Sequence, residues 1–130
     1  MAKPRGDDIR LGKLELEIMQ VVWRLEQATV QEVKDALASR RERAYSTILT
    51  MMRNLEDKGY LRHEVDGRTY VYRPAIERGK VRRGLLGDLI ERLFNGSPSL
   101  LVNSLVDDGF VNEEELVEIR RLVEKRSQPK

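Results

Sequence analysis

Ser46, Thr47, Thr50, Arg53 and Asn54 lie close together in the chain and carry hydrogen-bonding groups that match the edges of DNA base pairs. Arginine can bond guanine through two donors, asparagine pairs with adenine, and serine or threonine offers a hydroxyl, with the threonine methyl suited to thymine. Tyr45, just ahead of them, can reach a phosphate or stack at a groove edge. Arginines surround the set: Arg40, Arg41 and Arg43 precede it, and Arg62, Arg68 and Arg73 follow. A basic patch beside a helix neutralises phosphates and releases their counterions. Glu42, Glu56, Asp57 and Glu64 are interleaved with these cations, so charge alone fits an ordinary solvated face equally well. The elements that hold the side chains must decide between the two.

Three helices are expected first. Residues 12–26 place Leu14, Ile18, Val21, Val22 and Leu25 at helical spacing, and Leu16, Met19 and Trp23 widen the apolar stripe to two packing sides. Thr29 and Glu32 form the reciprocal capping pattern of a short second helix, expected to end near Ser39 and to bury Val30, Val33 and Leu37. The third helix spans 45–58 and turns Ile48, Met51, Met52 and Leu55 inward; Ala44 offers it no capping oxygen, and Gly59 closes it. The period then becomes alternating, and Asp66-Gly67 predicts a tight hairpin turn over 61–73, ended by Pro74.

Helical spacing returns beyond the hairpin. Glu77 to Phe94 stops at Asn95-Gly96, Ser97-Pro98 opens a short helix, and Asn112 with Glu115 caps a last one running to about Arg126. The expected fold is mainly α with a small β-wing: a winged helix-turn-helix DNA-binding domain over 1–75 and a C-terminal helical dimerisation region over 76–130. In that arrangement the third helix enters the major groove and the ribbon lies along the phosphates. Ser46, Thr47, Thr50, Arg53 and Asn54 would face the bases, with Arg43, Arg62 and Arg68 as phosphate contacts.

Composition excludes much else. Forty per cent of the 130 residues are apolar and 35% charged, enough for a core under a wet surface. The chain has no cysteine, hence no disulfide, thiol nucleophile or thiolate metal site. His63 is its only histidine, expected to be a packed or surface strand residue, and the carboxylates at Asp7-Asp8, Asp107-Asp108 and Glu113–Glu115 lack metal spacing. No constellation of nucleophile, base and orienter is present. An enzyme, a cofactor and a metal are therefore not expected. No run approaches the about 20 apolar residues of a membrane span, and MAKPRGDDIR lacks the apolar stretch of a leader, so the cytoplasm is the expected compartment. Residues 1–80 hold 16 Lys+Arg against 13 Asp+Glu, whereas 81–130 hold 8 against 9. The basic excess sits with the proposed reading elements.

In order and spacing, ELEIMQVVW, TVQEVKDAL, AYSTILTMMRNLEDKGYL and HEVDGRTYVYRP resemble the penicillinase and methicillin-resistance repressors, to which copper-responsive repressors are related. The resemblance spans nearly the whole chain. It implies a dimeric repressor on an inverted-repeat operator, with DNA contacts at Tyr45, Ser46, Thr47, Thr50, Arg53 and Asn54 and on the wing at Arg68. It also implies release by a sensor-linked protease. The matching bond is Asn103–Ser104, where the asparagine is kept and the family's aromatic residue is replaced by serine. The cysteine cluster of the copper-responsive members is missing, which excludes copper sensing by that route.

Residues 76–126 hold more large apolar side chains than three short helices can hide. Leu86, Leu89, Leu93, Leu101, Leu105, Leu116, Ile119 and Leu122 are the expected seam of a homodimer. Burial gains about 25 cal/mol per Å² over an interface of about 1,600 Å². Two rival readings remain at this point: a winged-helix adaptor that binds protein through its third helix, and a DNA-binding regulator that answers to a small ligand.

Overall fold

The computed structural model describes residues 9–127. Asp7 and Asp8 lie outside them. The elements are α1 (Lys13–Leu25), α2 (Val30–Leu37), α3 (Tyr45–Asp57), β1 (Leu61–Asp66), β2 (Thr69–Pro74), α4 (Arg78–Phe94), α5 (Pro98–Asp107) and α6 (Glu113–Ser127). They fall into two compact units, one reaching Leu86 and one starting at Gly87.

The first unit is built around α1. Ile18, Met19 and Val22 are fully buried there, as are Val33 of α2 and Ile48, Met52 and Leu55 of α3. Local chemistry sets the helix ends. The Thr29 hydroxyl accepts from the Glu32 N–H at 3.1 Å, and the Glu32 carboxylate accepts from the Thr29 N–H at 2.8 Å, satisfying two of the amides that a helix start leaves free. Gly59 closes α3 in the left-handed region at φ 90°. The Tyr60 N–H then bonds the Leu55 carbonyl at 2.9 Å and the Gly59 N–H bonds that of Glu56 at 3.0 Å. This paired closure folds buried Tyr60 back over buried Leu55.

Two long-range polar contacts brace the bundle. Glu15 of α1, nearly buried, accepts from the Lys58 ammonium at 2.7 Å, tying the start of α1 to the end of α3. Trp23 Nε1–H donates to the Ile76 carbonyl at 3.0 Å. The expected boundary lies after residue 75, yet Ile76 and Val81 are buried in this core and Leu85 packs on it. The first turns of α4 therefore belong to the first unit. The second helix stops at Leu37 rather than near Ser39.

β1 and β2 pair antiparallel with Leu61 opposite Pro74 and Asp66 opposite Thr69. The two residues at the turn are thus Gly67 and Arg68, one step later than the expected Asp66-Gly67. Gly67 alone has positive φ, 65°, as in the primed turn that takes glycine at its first central position. Ala28, between α1 and α2, adds a third short rung: its N–H bonds the Tyr72 carbonyl at 2.9 Å and its carbonyl accepts from the Tyr72 N–H at 2.8 Å. The ribbon is thereby fixed to the helices along its second strand.

The second unit holds the end of α4 with α5 and α6. Ser97 accepts from the Leu100 N–H at 3.3 Å ahead of Pro98, and Asn112 accepts from the Glu115 N–H at 2.8 Å, as the capping patterns predict. None of its described side chains is buried.

Candidate nucleic-acid interface

The inward stripe of α3 determines what faces solvent. With Ile48, Met52 and Leu55 fully buried, Tyr45, Ser46, Thr47, Thr50, Arg53 and Asn54 are all exposed. Ala44 is the N-cap and supplies no side-chain bond, so the first turn keeps backbone donors free, at the end where the helix dipole favours an anion.

The wing completes this surface. Tyr45 and Arg53 line one open groove together with Arg68, Thr69 and Tyr70 of the hairpin and Thr29 and Gln31 at the start of α2. Two arginines on separate elements converge there without a carboxylate among the lining residues. That arrangement suits a polyanion crossing from the reading helix to the hairpin tip.

Two expected phosphate contacts are placed elsewhere. The Arg43 guanidinium turns back to Glu17 of α1 at 3.7 Å and donates to the Arg41 carbonyl at 3.4 Å, so its side chain is only 20% exposed. Arg62 stands opposite Arg73 in the ribbon, and both approach Glu64, at 4.0 Å and 3.6 Å. Strand alternation puts this trio on the other face of the ribbon from His63, Tyr70 and Tyr72. Arg62 is thus separated from the groove that Arg53 and Arg68 share.

On the face toward α3, the structure assembles a cluster that spacing did not reveal. His63 Nδ1 lies 2.7 Å from both carboxylate oxygens of Glu56. Its ring stacks on Tyr70 at 4.1 Å and 9° between planes, and meets Tyr72 at 5.7 Å. The Tyr72 hydroxyl is buried without a hydrogen-bond partner. Burial, and next the Glu56 carboxylate, raise its pKa above the usual phenol value, while Arg53 acts in the opposite direction. Thr29 was legible only as a cap and Tyr70 only as a strand residue; nothing in their spacing placed them beside Arg53.

The apolar seam expected for assembly divides. Leu86, Leu89, Leu93, Leu116, Ile119 and Leu122 are exposed, whereas Leu101 and Leu105 are half-buried. Phe110 at 71% and Val117 at 68% match the exposure of Leu93 at 69%, although sequence reasoning left them out. Asn103 is exposed and Ser104 half-buried on α5. Among the described residues no helix is long and apolar enough to cross a membrane.

Residues 11–125 match the family described as penicillinase repressor. The chain is 27% identical over 121 residues to the penicillinase repressor of Bacillus licheniformis, covering 93% of this chain and 94% of that one. It is 37% identical over 82 residues to the transcriptional regulator BlaI of Mycobacterium tuberculosis, 62% of this chain and 59% of the relative. Among solved structures, the DNA-binding domain of the repressor BlaI superposes with a TM-score of 0.50 at 32% identity, covering 59% of this chain and 92% of that domain.

Proposed function

Because this chain belongs to the penicillinase repressor family, we propose that it represses transcription by binding an inverted repeat in double-stranded DNA as a homodimer. The observation that carries the reading is the shared groove of Tyr45, Arg53 and Arg68 beside the exposed polar face of α3. Thr47, Thr50, Arg53 and Asn54 read bases in the major groove, and Arg68 holds the backbone from the wing. Ser46 and the free amides of the first turn meet a phosphate at the helix start.

The dimer rests on the second unit. Its exposed Leu89, Leu93, Phe110, Leu116, Val117 and Ile119 form apolar surface that a second copy would cover, and two-fold symmetry then supplies two reading helices for two half-sites. Release follows from a sensor-linked protease cutting between Asn103 and Ser104. That bond lies inside α5, so the helix must unwind locally before it can be cut.

Titrating duplex binding of the full chain against salt tests the reading. With about 6 phosphate contacts per dimer, log affinity should fall with log salt at a slope of about −5. A flat response would contradict DNA binding and favour the protein adaptor. For release, cells exposed to a cell-wall antibiotic should yield a fragment ending at Asn103; an intact chain would contradict cleavage.

A further inference from the structure

The hairpin tip has little to hold it. Val65, Asp66, Gly67, Arg68, Thr69 and Tyr70 are all exposed, and a two-stranded ribbon is only marginally stable by itself. The bridge from Ala28 fixes β2 at Tyr72 but leaves the outer part of the ribbon free to tilt about that point. One contact made outside the buried core restrains the tilt from α3: Glu56 grips the His63 ring edge, and the ring lies flat on Tyr70, two residues from Arg68.

We infer that His63 is a positioning residue for the wing, joining the reading helix to the hairpin so that Arg53 and Arg68 engage the same duplex. A carboxylate accepts, so His63 Nδ1–H is the donor of this contact. The groups touching it are Glu56 from α3 and Tyr70 and Tyr72 from β2. Both members of the pair are about 30% exposed, 28% for His63 and 31% for Glu56. The bond is partly shielded from water without being a costly fully buried charge pair.

This inference rests on the proposed wing contact to DNA, and a mutant cycle separates the two. Affinity of the full chain for duplex DNA is measured with and without Arg68→Ala in three backgrounds: unsubstituted, His63→Phe and Glu56→Gln. In the unsubstituted chain Arg68→Ala should weaken binding about tenfold. In His63→Phe, which keeps a stacking ring but has no donor for Glu56, the same change should cost less than about twofold, because the wing no longer delivers Arg68. Glu56→Gln retains an oxygen that accepts from Nδ1–H and should restore the full Arg68 effect. The cost of Arg53→Ala should be the same in all three backgrounds.

An undiminished Arg68 effect in His63→Phe would overturn the joint while leaving the wing contact standing. Equal loss of the Arg53 and Arg68 effects would show general damage to the fold, and would also overturn it. No Arg68 effect in the unsubstituted chain would remove the wing contact itself, and this inference with it. Should His63→Phe fail to fold, Glu56→Ala removes the acceptor from the other side, with the same two outcomes.

Discussion

The two units use apolar side chains in opposite ways. In the first, α1, α2 and α3 close over a core that includes Tyr60, Leu61, Tyr72, Ile76 and Val81, and the exposed remainder of α3 is polar. In the second, no described side chain is buried and Leu93, Phe110 and Val117 are largely exposed. A unit that hides its apolar surface can present a chemically specific face. One that does not has its apolar surface left to satisfy by association. The contrast supports the proposal that the first unit recognises DNA and the second assembles the protein.

Core truncation should separate them most strongly. Met52→Ala empties part of a fully buried site and should cost about 2–5 kcal/mol of stability by chemical denaturation. Leu93→Ala removes an exposed side chain and should change monomer stability by no more than about 0.5 kcal/mol. Should Leu93→Ala prove as destabilising as Met52→Ala, the second unit would possess a core of its own and the comparison would break.

Next in size is the change at the seam itself. Leu93→Glu places a charge on the exposed apolar surface and should weaken self-association by about 2 kcal/mol or more, read as a concentration-dependent mass in sedimentation. An unaltered dimer would move the interface away from α4. Within the first unit, Arg53→Ala should relax base preference and cost about 1–3 kcal/mol of binding, with thermal stability unchanged. If affinity and preference both survive, the helix is oriented differently in the groove.

The smallest effect concerns the unpartnered Tyr72 hydroxyl. Tyr72→Phe loses no internal hydrogen bond and should change stability at neutral pH by less than about 0.5 kcal/mol. Because the folded phenol has a raised pKa, its contribution is present below pH about 10 and lost as pH rises through the folded value. The variant should therefore resist alkaline unfolding better than the parent, and identical alkaline transitions would show that the phenol does not titrate differently on folding.

What could be read from the chain was local. Thr29 with Glu32, Ser97 before Pro98, Asn112 with Glu115 and Gly59 are signals contained within one helical turn, and each marks a boundary in the structure. The turn lies one residue later than Asp66-Gly67 predicts, because both pairings put the glycine at positive φ and they differ in register and in whether Asp66 must take positive φ as well. The Ala28 bridge to Tyr72, the Glu15 pair with Lys58 and the Glu56 grip on His63 join residues of different elements, and no periodicity encodes them. Arg43 and Arg62 share the positive charge of Arg68 but not its position: Arg43 turns back to Glu17, and strand alternation puts Arg62 on the ribbon face away from the groove.

The central claim, that two copies of the α3 and wing surface read DNA together, is tested most directly by selecting bound sequences from a random duplex pool with the full chain. The account predicts enrichment of an inverted repeat whose half-sites are separated by whole helical turns, about 10 base pairs or a multiple of that. A pool that shows no enriched sequence would contradict base reading by α3, and a single unrepeated half-site would contradict the dimer.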